Sequence, residues 1–243
     1  MADRLVAIVL AGGSGTRMGA DGNKVYLTVA GRAVLAYSLA TLQASDVVDD
    51  IVLVGRTDDL DLARRLVDEC AITKLRATVP GGSSRHRSEQ AGLAAVGALA
   101  QRKPGAIGYV LIHDAARPFL THALLDALVD AARRVGGAIP ALALTEQPFE
   151  QRGSSLVAVP FDDLVRVQTP QVFAVDALLH AYAQAAAAGF DGVDTAQTVE
   201  RYGDLSVAAV PGDPRNIKLT TAADLVVAGD LALRWRDGAW LDS

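Results

Sequence analysis

A glycine-rich segment with two basic side chains follows the first apolar run of the chain and has the composition of a phosphate-binding loop. The apolar run is Leu5 to Val9, and residues 10–19 read Leu-Ala-Gly-Gly-Ser-Gly-Thr-Arg-Met-Gly, with Lys24 five residues further on. A β-branched apolar run that leads into glycines is typical of a buried strand followed by a loop whose backbone N–H groups can approach a ligand. Arg17 would add a rigid fork of donors and Lys24 a mobile point charge, a pair suited to a polyphosphate. The segment therefore predicts a site for a phosphorylated ligand.

Two familiar glycine-loop patterns do not fit these residues. The dinucleotide fingerprint G-x-G-x-x-G, started at Gly13, would need glycine where Met18 stands. The P-loop pattern needs serine or threonine after its lysine, and Val25 follows Lys24. A glycine turn that only connects a strand to a helix stays open as the alternative.

The end of a second apolar run, Tyr109–Ile112, carries complementary polar chemistry. It continues as His-Asp-Ala-Ala-Arg-Pro-Phe over residues 113–119. Asp114 can accept hydrogen bonds from hydroxyls or help to hold a magnesium ion, and Arg117 can bind a phosphate. An Asp114–Arg117 ion pair that only fixes the loop is the alternative.

Residues 80–88 form a third polar segment, Pro-Gly-Gly-Ser-Ser-Arg-His-Arg-Ser, which closes an apolar run and opens a helix. Its backbone N–H groups, hydroxyls and two arginines lie near the positive end of that helix, so it could bind an anion or the edge of a base. The alternative is a solvated basic helix start capped by Ser83 or Ser84.

Lys218 is a further candidate, because a lone cation between Ile217 and Leu219 points a charge at something specific. The alternative is a surface lysine that snorkels to water. His86 and His113 lack metal-ligand spacing and are expected to be structural hydrogen-bonding residues.

Apolar runs of strand type alternate with segments of helical periodicity along most of the chain. This alternation predicts an α/β fold with a mostly parallel sheet and helices on both faces. In such sheets ligands bind outside the carboxyl ends of the strands, so the loops after Leu10, Val79 and Ile112 should converge on one crevice. The predicted strands are Leu5–Leu10, Ile51–Val54, Arg76–Val79, Tyr109–Ile112, Ala138–Leu144, Leu156–Val159 and Leu205–Val210, and the predicted helices are Val34–Leu42, Asp59–Cys70, Ser88–Ala100, His122–Arg134, Val175–Ala188 and Ala222–Leu233.

The stretch 145–161 breaks the alternation. It contains Pro148, Gly153 and a short apolar run ended by Pro160, a pattern that predicts a projecting β-hairpin arm. A long excursion of this kind is usually functional or interfacial, and dimerisation is its expected use.

Length and charge bound the class of protein. The chain has 243 residues, is 51% hydrophobic and 21% charged, and suits a single domain over residues 1–243. A formal net charge of −5 argues against general binding to nucleic acid or to an anionic membrane surface. The first apolar run is too short to span a bilayer. We expect a cytoplasmic protein.

The segments described above, with Asn23–Lys24, Gln-Thr-Pro-Gln at 168–171 and Asn-Ile-Lys-Leu-Thr-Thr at 216–221, form a combined signature. In this order and spacing they resemble the cytidylyltransferases that make 4-diphosphocytidyl-2-C-methylerythritol. The resemblance extends from Val6 to about Leu231. The ribitol-5-phosphate cytidylyltransferases share nearly all of these motifs.

The resemblance implies a Rossmann-like nucleotidyltransferase fold, Mg²⁺ as cofactor, and transfer of CMP from CTP to 2-C-methyl-D-erythritol 4-phosphate, a step of isoprenoid precursor biosynthesis. The alternatives are ribitol 5-phosphate or another polyol phosphate as acceptor, another base, and a nucleotide-binding relative without turnover. The implied partners are the two substrates and a second copy of the chain bound through the arm. The implied catalytic residues are Arg17, Lys24 and Lys218; nucleotide binding falls to Ala11, Gly12, Gly13, Gly15, Gly82, Ser83, Ser88 and Ala115; acceptor binding falls to Asp114, Arg117 and Thr169, with Asp114 also as a metal ligand.

The chain departs from the family pattern on the acceptor side. The family's arm carries an Asp-Thr-x-Lys segment and a later arginine, whereas Thr145–Pro148 and Phe161 stand at those positions here. Arg152 or Arg166 could substitute for that arginine. A second family motif is altered to Val-Asp-Thr-Ala-Gln at 193–197.

Overall fold

A mixed eight-stranded sheet forms the framework of the chain. The computed structural model describes residues 4–13, 23–102 and 107–241. In chain order the described strands are β1 (Arg4–Ala11), β2 (Thr28–Val29), β3 (Arg32–Ala33), β4 (Asp50–Gly55), β5 (Leu75–Pro80), β6 (Ile107–Asp114), β7 (Gly136–Ala143), β8 (Phe149–Arg152), β9 (Ser155–Ala158), β10 (Val165–Val167), β11 (Gln171–Ala174), β12 (Ser206–Pro211), β13 (Trp235–Arg236) and β14 (Ala239–Trp240). The described helices are α1 (Val34–Ala44), α2 (Leu60–Glu69), α3 (Arg85–Arg102), α4 (His122–Val135), α5 (Val175–Ala187), α6 (Thr195–Tyr202) and α7 (Ala222–Ala232).

The centre of the sheet is parallel. Strands β5, β4, β1 and β6 lie side by side in that order and run in one direction. Strand β11 pairs antiparallel with both β6 and β7, β10 pairs antiparallel with β7, and β12 pairs parallel with β7. The mostly parallel α/β sheet predicted from the sequence is confirmed.

Helices cover both faces of the sheet, and the side chains of β1 show why. Leu5, Ala7 and Val9 pack with α1, α2 and α4 in one apolar cluster, whereas Val6 and Ile8 pack with α3, α5 and α6 in another. Successive strand residues point to opposite faces, so a strand buried on both sides must be apolar throughout. This is the physical reason for the continuous apolar run that precedes the glycines.

Several elements escaped the sequence-based prediction because their signals are short. Strand β11 has four residues and begins with a glutamine, and α6 has only eight residues. Helix α6 does carry one sequence signal, an aspartate cap, because Asp194 accepts from the Ala196 N–H at 2.9 Å. Helix α3 begins at Arg85, three residues before the predicted start at Ser88. Strands β8, β10, β13 and β14 were also not predicted individually.

The stretch 145–161 contains the antiparallel hairpin β8–β9. All eight residues of the two strands are exposed, and Gly153 adopts a left-handed φ of 64° beside the turn. The hairpin pairs within itself as a separate two-stranded sheet. It therefore stands away from the main sheet.

The C-terminal hairpin β13–β14 closes a third apolar cluster. Trp235 and Trp240 pack there against Phe119 and Tyr37. Within the ranges given above, no helix is long and apolar enough to cross a membrane.

Candidate active site

A cavity of about 360 Å³ opens at the carboxyl ends of β1, β5 and β6. The loops that follow these three strands meet there, as the sheet topology requires. The cavity is lined by Leu10, Gly12, Gly13, Lys24, Val25, Gly82, Ser83, Ser84, Arg85, Ser88, Asp114, Ala116, Lys218 and Thr220.

Asn23 fixes the chain that brings Lys24 to the cavity. Its side-chain amide donates to the carbonyl of Ala11 at 2.5 Å and to Asp59 Oδ2 at 3.0 Å, and its Oδ1 accepts from the Val25 N–H at 3.3 Å. Because Asn23 is buried, these bonds tie the segment that carries Lys24 to the end of β1. Gly15 and Arg17, which the sequence assigns to this loop, lie outside the described residues.

The loop after β5 is folded around Ser88. The Ser88 hydroxyl accepts from the Gly82 N–H at 3.2 Å and donates to the Ser84 carbonyl at 2.9 Å. A Cβ on Gly82 would lie 2.3 Å from the Cβ of Arg87, so this loop requires glycine at that position. Ser88 thus shapes the loop, and the exposed Ser83 is also among the residues that line the cavity.

Ser84 caps helix α3. Its hydroxyl oxygen accepts from the Arg87 N–H at 3.1 Å, and the hydroxyl donates to Asp191 at 2.7 Å. A serine that satisfies a free N–H in the first turn is a preferred N-cap. The capped helix start and the cavity wall are therefore the same segment, so the two interpretations of residues 80–88 are compatible.

Asp114 is held between two cations. Its Oδ1 accepts from Arg85 Nε at 3.1 Å, and its Oδ2 accepts from Lys218 Nζ at 2.6 Å. Burial opposes ionisation, but Arg85 and Lys218 outweigh it and hold the pKa of Asp114 well below its usual range. The loop-fixing ion pairs of Asp114 are thus with Arg85 and Lys218, and the structure shows no side-chain pair of Asp114 with Arg117.

Arg85 itself joins two carboxylates. Its Nη1 donates to Glu89 Oε1 at 2.6 Å, while its Nε donates to Asp114. Glu89 is fully buried, and it also accepts from the hydroxyls of Tyr182 and Thr195. Burial opposes the charged form of Arg85, but Asp114 and Glu89 overcome this and raise the pKa of Arg85. The sequence analysis did not identify Glu89 as a site residue. Its position four residues after Arg85 on one helix has the spacing of an ion pair and is the signal that could have found it.

Arg117 and Thr169 support Asp114 from behind the cavity. Thr169 Oγ1 accepts from the backbone N–H of Asp114 at 3.0 Å. Arg117 Nη1 donates to the carbonyl of Asn216 at 2.7 Å, and the Asn216 amide donates to the carbonyl of Thr169 at 2.9 Å. Neither Arg117 nor Thr169 is among the residues that line the cavity. Their assignment to acceptor binding stays a prediction.

His113 is a buried structural residue. Its Nε2 lies 3.0 Å from the carbonyl of Arg117, and its Nδ1 lies 3.4 Å from Thr169 Oγ1. Burial lowers the pKa of His113 to about 4, so the ring is neutral near pH 7 and Nε2 carries the proton that the carbonyl accepts.

The remaining predicted nucleotide-binding residues divide into two groups. Gly12 and Gly13 line the cavity. Ala11 and Ala115 are fully buried, and the Ala115 N–H donates to the Leu10 carbonyl at 3.0 Å, which joins the ends of β1 and β6. Both alanines belong to the apolar core at these strand ends, and a direct ligand contact by them stays a prediction.

The described residues offer no cluster of three His, Cys, Asp or Glu side chains that could hold a metal ion. The predicted ligand Asp114 has a cation on each carboxylate oxygen. A metal here would therefore have to take most of its ligands from a bound substrate.

Gly12 and Gly13, the capped start of α3 and the cations Lys24, Arg85 and Lys218 thus line one cavity at the carboxyl ends of parallel strands. This arrangement is typical of α/β proteins that bind phosphorylated nucleotides. The comparisons with known proteins specify the class further. Residues 5–233 match the family model described as IspD: 2-C-methyl-D-erythritol 4-phosphate cytidylyltransferase.

Individual relatives agree with this match. The chain is 37% identical to the 2-C-methyl-D-erythritol 4-phosphate cytidylyltransferase of Geotalea uraniireducens over 93% of this chain and 95% of that protein. It is 36% identical to the enzyme of the same name from Syntrophus aciditrophicus, over 94% and 95%. The crystal structure of 4-diphosphocytidyl-2C-methyl-D-erythritol synthase from Anaerococcus prevotii superposes with a TM-score of 0.81 at 29% identity, over 96% of this chain and 99% of that one.

The chain belongs to the 2-C-methyl-D-erythritol 4-phosphate cytidylyltransferase family. It is a CTP-dependent cytidylyltransferase of the isoprenoid precursor pathway, with 2-C-methyl-D-erythritol 4-phosphate as acceptor. The family, the enzyme class and the reaction predicted from the sequence are confirmed.

Proposed function

We propose that the cavity at the ends of β1, β5 and β6 is where CMP passes from CTP to the acceptor. An oxygen of the acceptor phosphate attacks the α-phosphorus of CTP, a new P–O bond forms, and the bond to the bridging oxygen of the β-phosphate breaks. Pyrophosphate leaves with that oxygen. The observation that carries this proposal is the Asp114 carboxylate held between Arg85 and Lys218 at the meeting point of three strand ends.

In this proposal, cations provide most of the transition-state stabilisation. Negative charge builds on the triphosphate as pyrophosphate departs, and a fixed cation stabilises it. Lys24 and Lys218 both line the cavity, and Arg17 follows the same glycine loop in the sequence. We assign the three to the phosphates. Gly12, Gly13, Gly82 and Ser83 have the backbone groups and the small side chains that let the nucleotide approach closely.

No general base is required, because the acceptor phosphate is already a nucleophile. The surroundings of the site agree with this. Asp114 is ionised but engaged by two cations, and His113 is buried outside the cavity lining. We assign Asp114 to the hydroxyls of the polyol, with Arg117 and Thr169 as its supports on the acceptor side. Catalysis is then positioning plus charge stabilisation.

Magnesium would enter as part of the CTP substrate. A hard cation of this size is usually bound through one or two carboxylates together with substrate phosphates. Asp114 is a single carboxylate already bonded to two cations, so the residues that the structure describes do not by themselves make a metal site. We infer that phosphate oxygens of CTP supply the ligands that the protein does not provide. The cytoplasmic location stays a prediction from the sequence.

We also propose that the arm joins two copies of the chain. The side chains of Leu156 and Phe149 are 67% and 55% exposed on the β8–β9 hairpin. Large apolar side chains on a projecting hairpin are typical of a surface that is covered by a partner. A second copy would cover this surface by a self-complementary contact.

Kinetics of Lys24→Ala and Arg17→Ala test the proposed roles of the cations. Each variant should lower kcat for CTP-dependent turnover by about a hundredfold, because each removes one cation that stabilises the departing pyrophosphate. The matched control is Arg65→Ala, an exposed cation on α2 outside the cavity lining, which should keep the wild-type kcat. Wild-type turnover in both site variants would refute the assignment.

A further inference from the structure

Glu89 is a buried carboxylate one turn into α3 that the proposed chemistry does not use. It is 0% exposed, and both of its oxygens are engaged. Arg85 Nη1 and the Thr195 hydroxyl donate to Oε1, and the Tyr182 hydroxyl donates to Oε2 at 2.6 Å. Burying an acid that deeply is costly unless its charge is paired and bonded, as it is here.

The Glu89 carboxylate fixes the orientation of the Arg85 guanidinium. Arg85 is one of the residues that line the cavity, and its Nη1 donates to Glu89 at 2.6 Å while its Nε donates to Asp114 at 3.1 Å. Arginine presents its donors in a rigid plane, so anchoring one nitrogen fixes the direction of the others. Glu89 thus sets the angle at which Arg85 meets Asp114.

Charges alternate along this chain of contacts, from Lys218 through Asp114 and Arg85 to Glu89. Two more elements hold the Glu89 end of this chain of contacts, because Tyr182 lies on α5 and Thr195 on α6. Arg85 Nη1 also donates to Thr195 Oγ1 at 3.3 Å, so Arg85 is bonded both to Glu89 and to one of its partners. Asp114, on the other side of Arg85, is the carboxylate that we assign to the acceptor.

We propose that Glu89 is a positioning residue for the acceptor site, which acts through Arg85 to hold the Asp114 carboxylate in the orientation that binds the polyol hydroxyls. This inference rests on the proposed function, because Asp114 is assigned to the acceptor there. Glu89 itself contacts neither substrate in this role.

A double-mutant cycle separates positioning from a merely structural role. We would measure kcat/KM for 2-C-methyl-D-erythritol 4-phosphate at saturating CTP in the wild type, Glu89→Gln, Asp114→Asn and the double variant. Glu89→Gln should lower kcat/KM about tenfold, the effect of losing a bond to a charged group, mainly through a higher KM for the acceptor. In the Asp114→Asn background the same substitution should have less than about a twofold effect, because residues in one network are coupled.

Asp50→Asn is the matched structural control. Asp50 is as buried as Glu89 and pairs with Arg4 and Arg76. It is the first residue of β4, so it lies at the amino end of that strand, whereas the cavity opens at the carboxyl ends of the strands. It should lower the melting temperature and leave kcat/KM unchanged for the folded protein. Tyr182→Phe is the milder second variant, because it removes one donor to Glu89 and keeps the ring that stacks on His86 at 4.7 Å.

Tyr182→Phe should lower kcat/KM about threefold in the wild-type background and leave it unchanged with Asp114→Asn. If Glu89→Gln does not fold, this variant provides the cycle. If Glu89→Gln or Tyr182→Phe lowers kcat/KM by the same factor in both backgrounds, while Asp114→Asn by itself raises the KM for the acceptor, the positioning role of Glu89 is overturned. The acceptor role of Asp114 would still stand in that case. An Asp114→Asn variant with wild-type KM for the acceptor would instead overturn the acceptor role of Asp114.

Discussion

Lys218 Nζ lies 2.6 Å from Asp114 Oδ2, across 104 residues of sequence. Asp114 ends β6, and Lys218 belongs to the segment between β12 and α7. The Leu219 N–H donates to the Ala116 carbonyl at 2.8 Å and holds the two segments together. The ion pair therefore brings a cation from the C-terminal part of the chain to the end of the central sheet.

Substituting Lys218 by methionine should lower kcat by about a hundredfold, because it removes a donor from the site at which charge develops. The KM for CTP should change less than kcat if the lysine acts mainly in the transition state. Steady-state kinetics with both substrates would measure the two effects. An exposed cation removed in the same way, Arg65→Met on α2, serves as the control. Unchanged kcat in Lys218→Met would show that the lysine only fixes the loop.

The buried His113 predicts a pH dependence of stability. Burial lowers its pKa to about 4 in the folded chain, against an ordinary value of 6.5. The unfolded chain therefore binds more protons between these values, so the free energy of unfolding rises with pH across this window. The stabilisation is complete above about pH 6.5 and is lost as pH falls toward about 4, with a total on the order of 3 kcal/mol.

Urea unfolding of the wild type and His113→Gln at about pH 5 and about pH 7 would measure this difference. The slope of stability against pH should be smaller in the variant, whatever its absolute stability. The exposed His180→Gln keeps the buried imidazole and should retain the wild-type slope. Identical slopes in all three proteins would rule out the buried neutral histidine as the source.

Two glycines of α3 predict opposite effects of the same substitution. A Cβ on Gly92 would lie 2.6 Å from Ile8 Cγ2 and 3.2 Å from Val54 Cγ2, whereas nothing lies within 4 Å of one on Gly97. Gly92→Ala should lower the free energy of unfolding by about 1–3 kcal/mol through overpacking against the sheet. Gly97→Ala should raise it by up to about 1 kcal/mol through helix propensity. Thermal unfolding of both variants would show whether α3 packs this closely on β1 and β4.

The proposed dimer predicts that a charge on the arm disrupts it. We expect the wild type to sediment as a dimer and Leu156→Glu to shift it toward monomer in sedimentation velocity, because the substitution puts an unpaired charge into an apolar interface. Val226→Glu is the control, since Val226 is 71% exposed but lies on α7. Dissociation by Val226→Glu with an intact dimer in Leu156→Glu would place the interface on α7 instead.

The parallel sheet could be predicted from the sequence because burial on both faces requires apolar residues over residues 5–11 of β1 and 51–54 of β4. The strand ends could be located for the same reason, since Gly12 follows β1 directly and Asp114 is the last residue of β6. The antiparallel β11 could not, because four residues between Gln171 and Ala174 carry too little periodicity to distinguish a strand.

The partners within the site were harder to predict than its members. Asp114 and Lys218 could each be named as a candidate, but their pairing depends on contacts between distant segments. Glu89 looked like an ordinary polar residue on a helix, and only the packing of α5 and α6 on α3 shows that it is buried. The sequence places Asn23 beside Lys24, whereas its bonds to Ala11 and Asp59 depend on the fold.

The most direct measurement is pyrophosphate release from CTP with magnesium, run in parallel with 2-C-methyl-D-erythritol 4-phosphate, with ribitol 5-phosphate and with no acceptor. We expect release with 2-C-methyl-D-erythritol 4-phosphate and none without an acceptor, together with a product that carries CMP on the acceptor phosphate. Release with ribitol 5-phosphate alone, or CTP binding without release under all three conditions, would contradict this expectation.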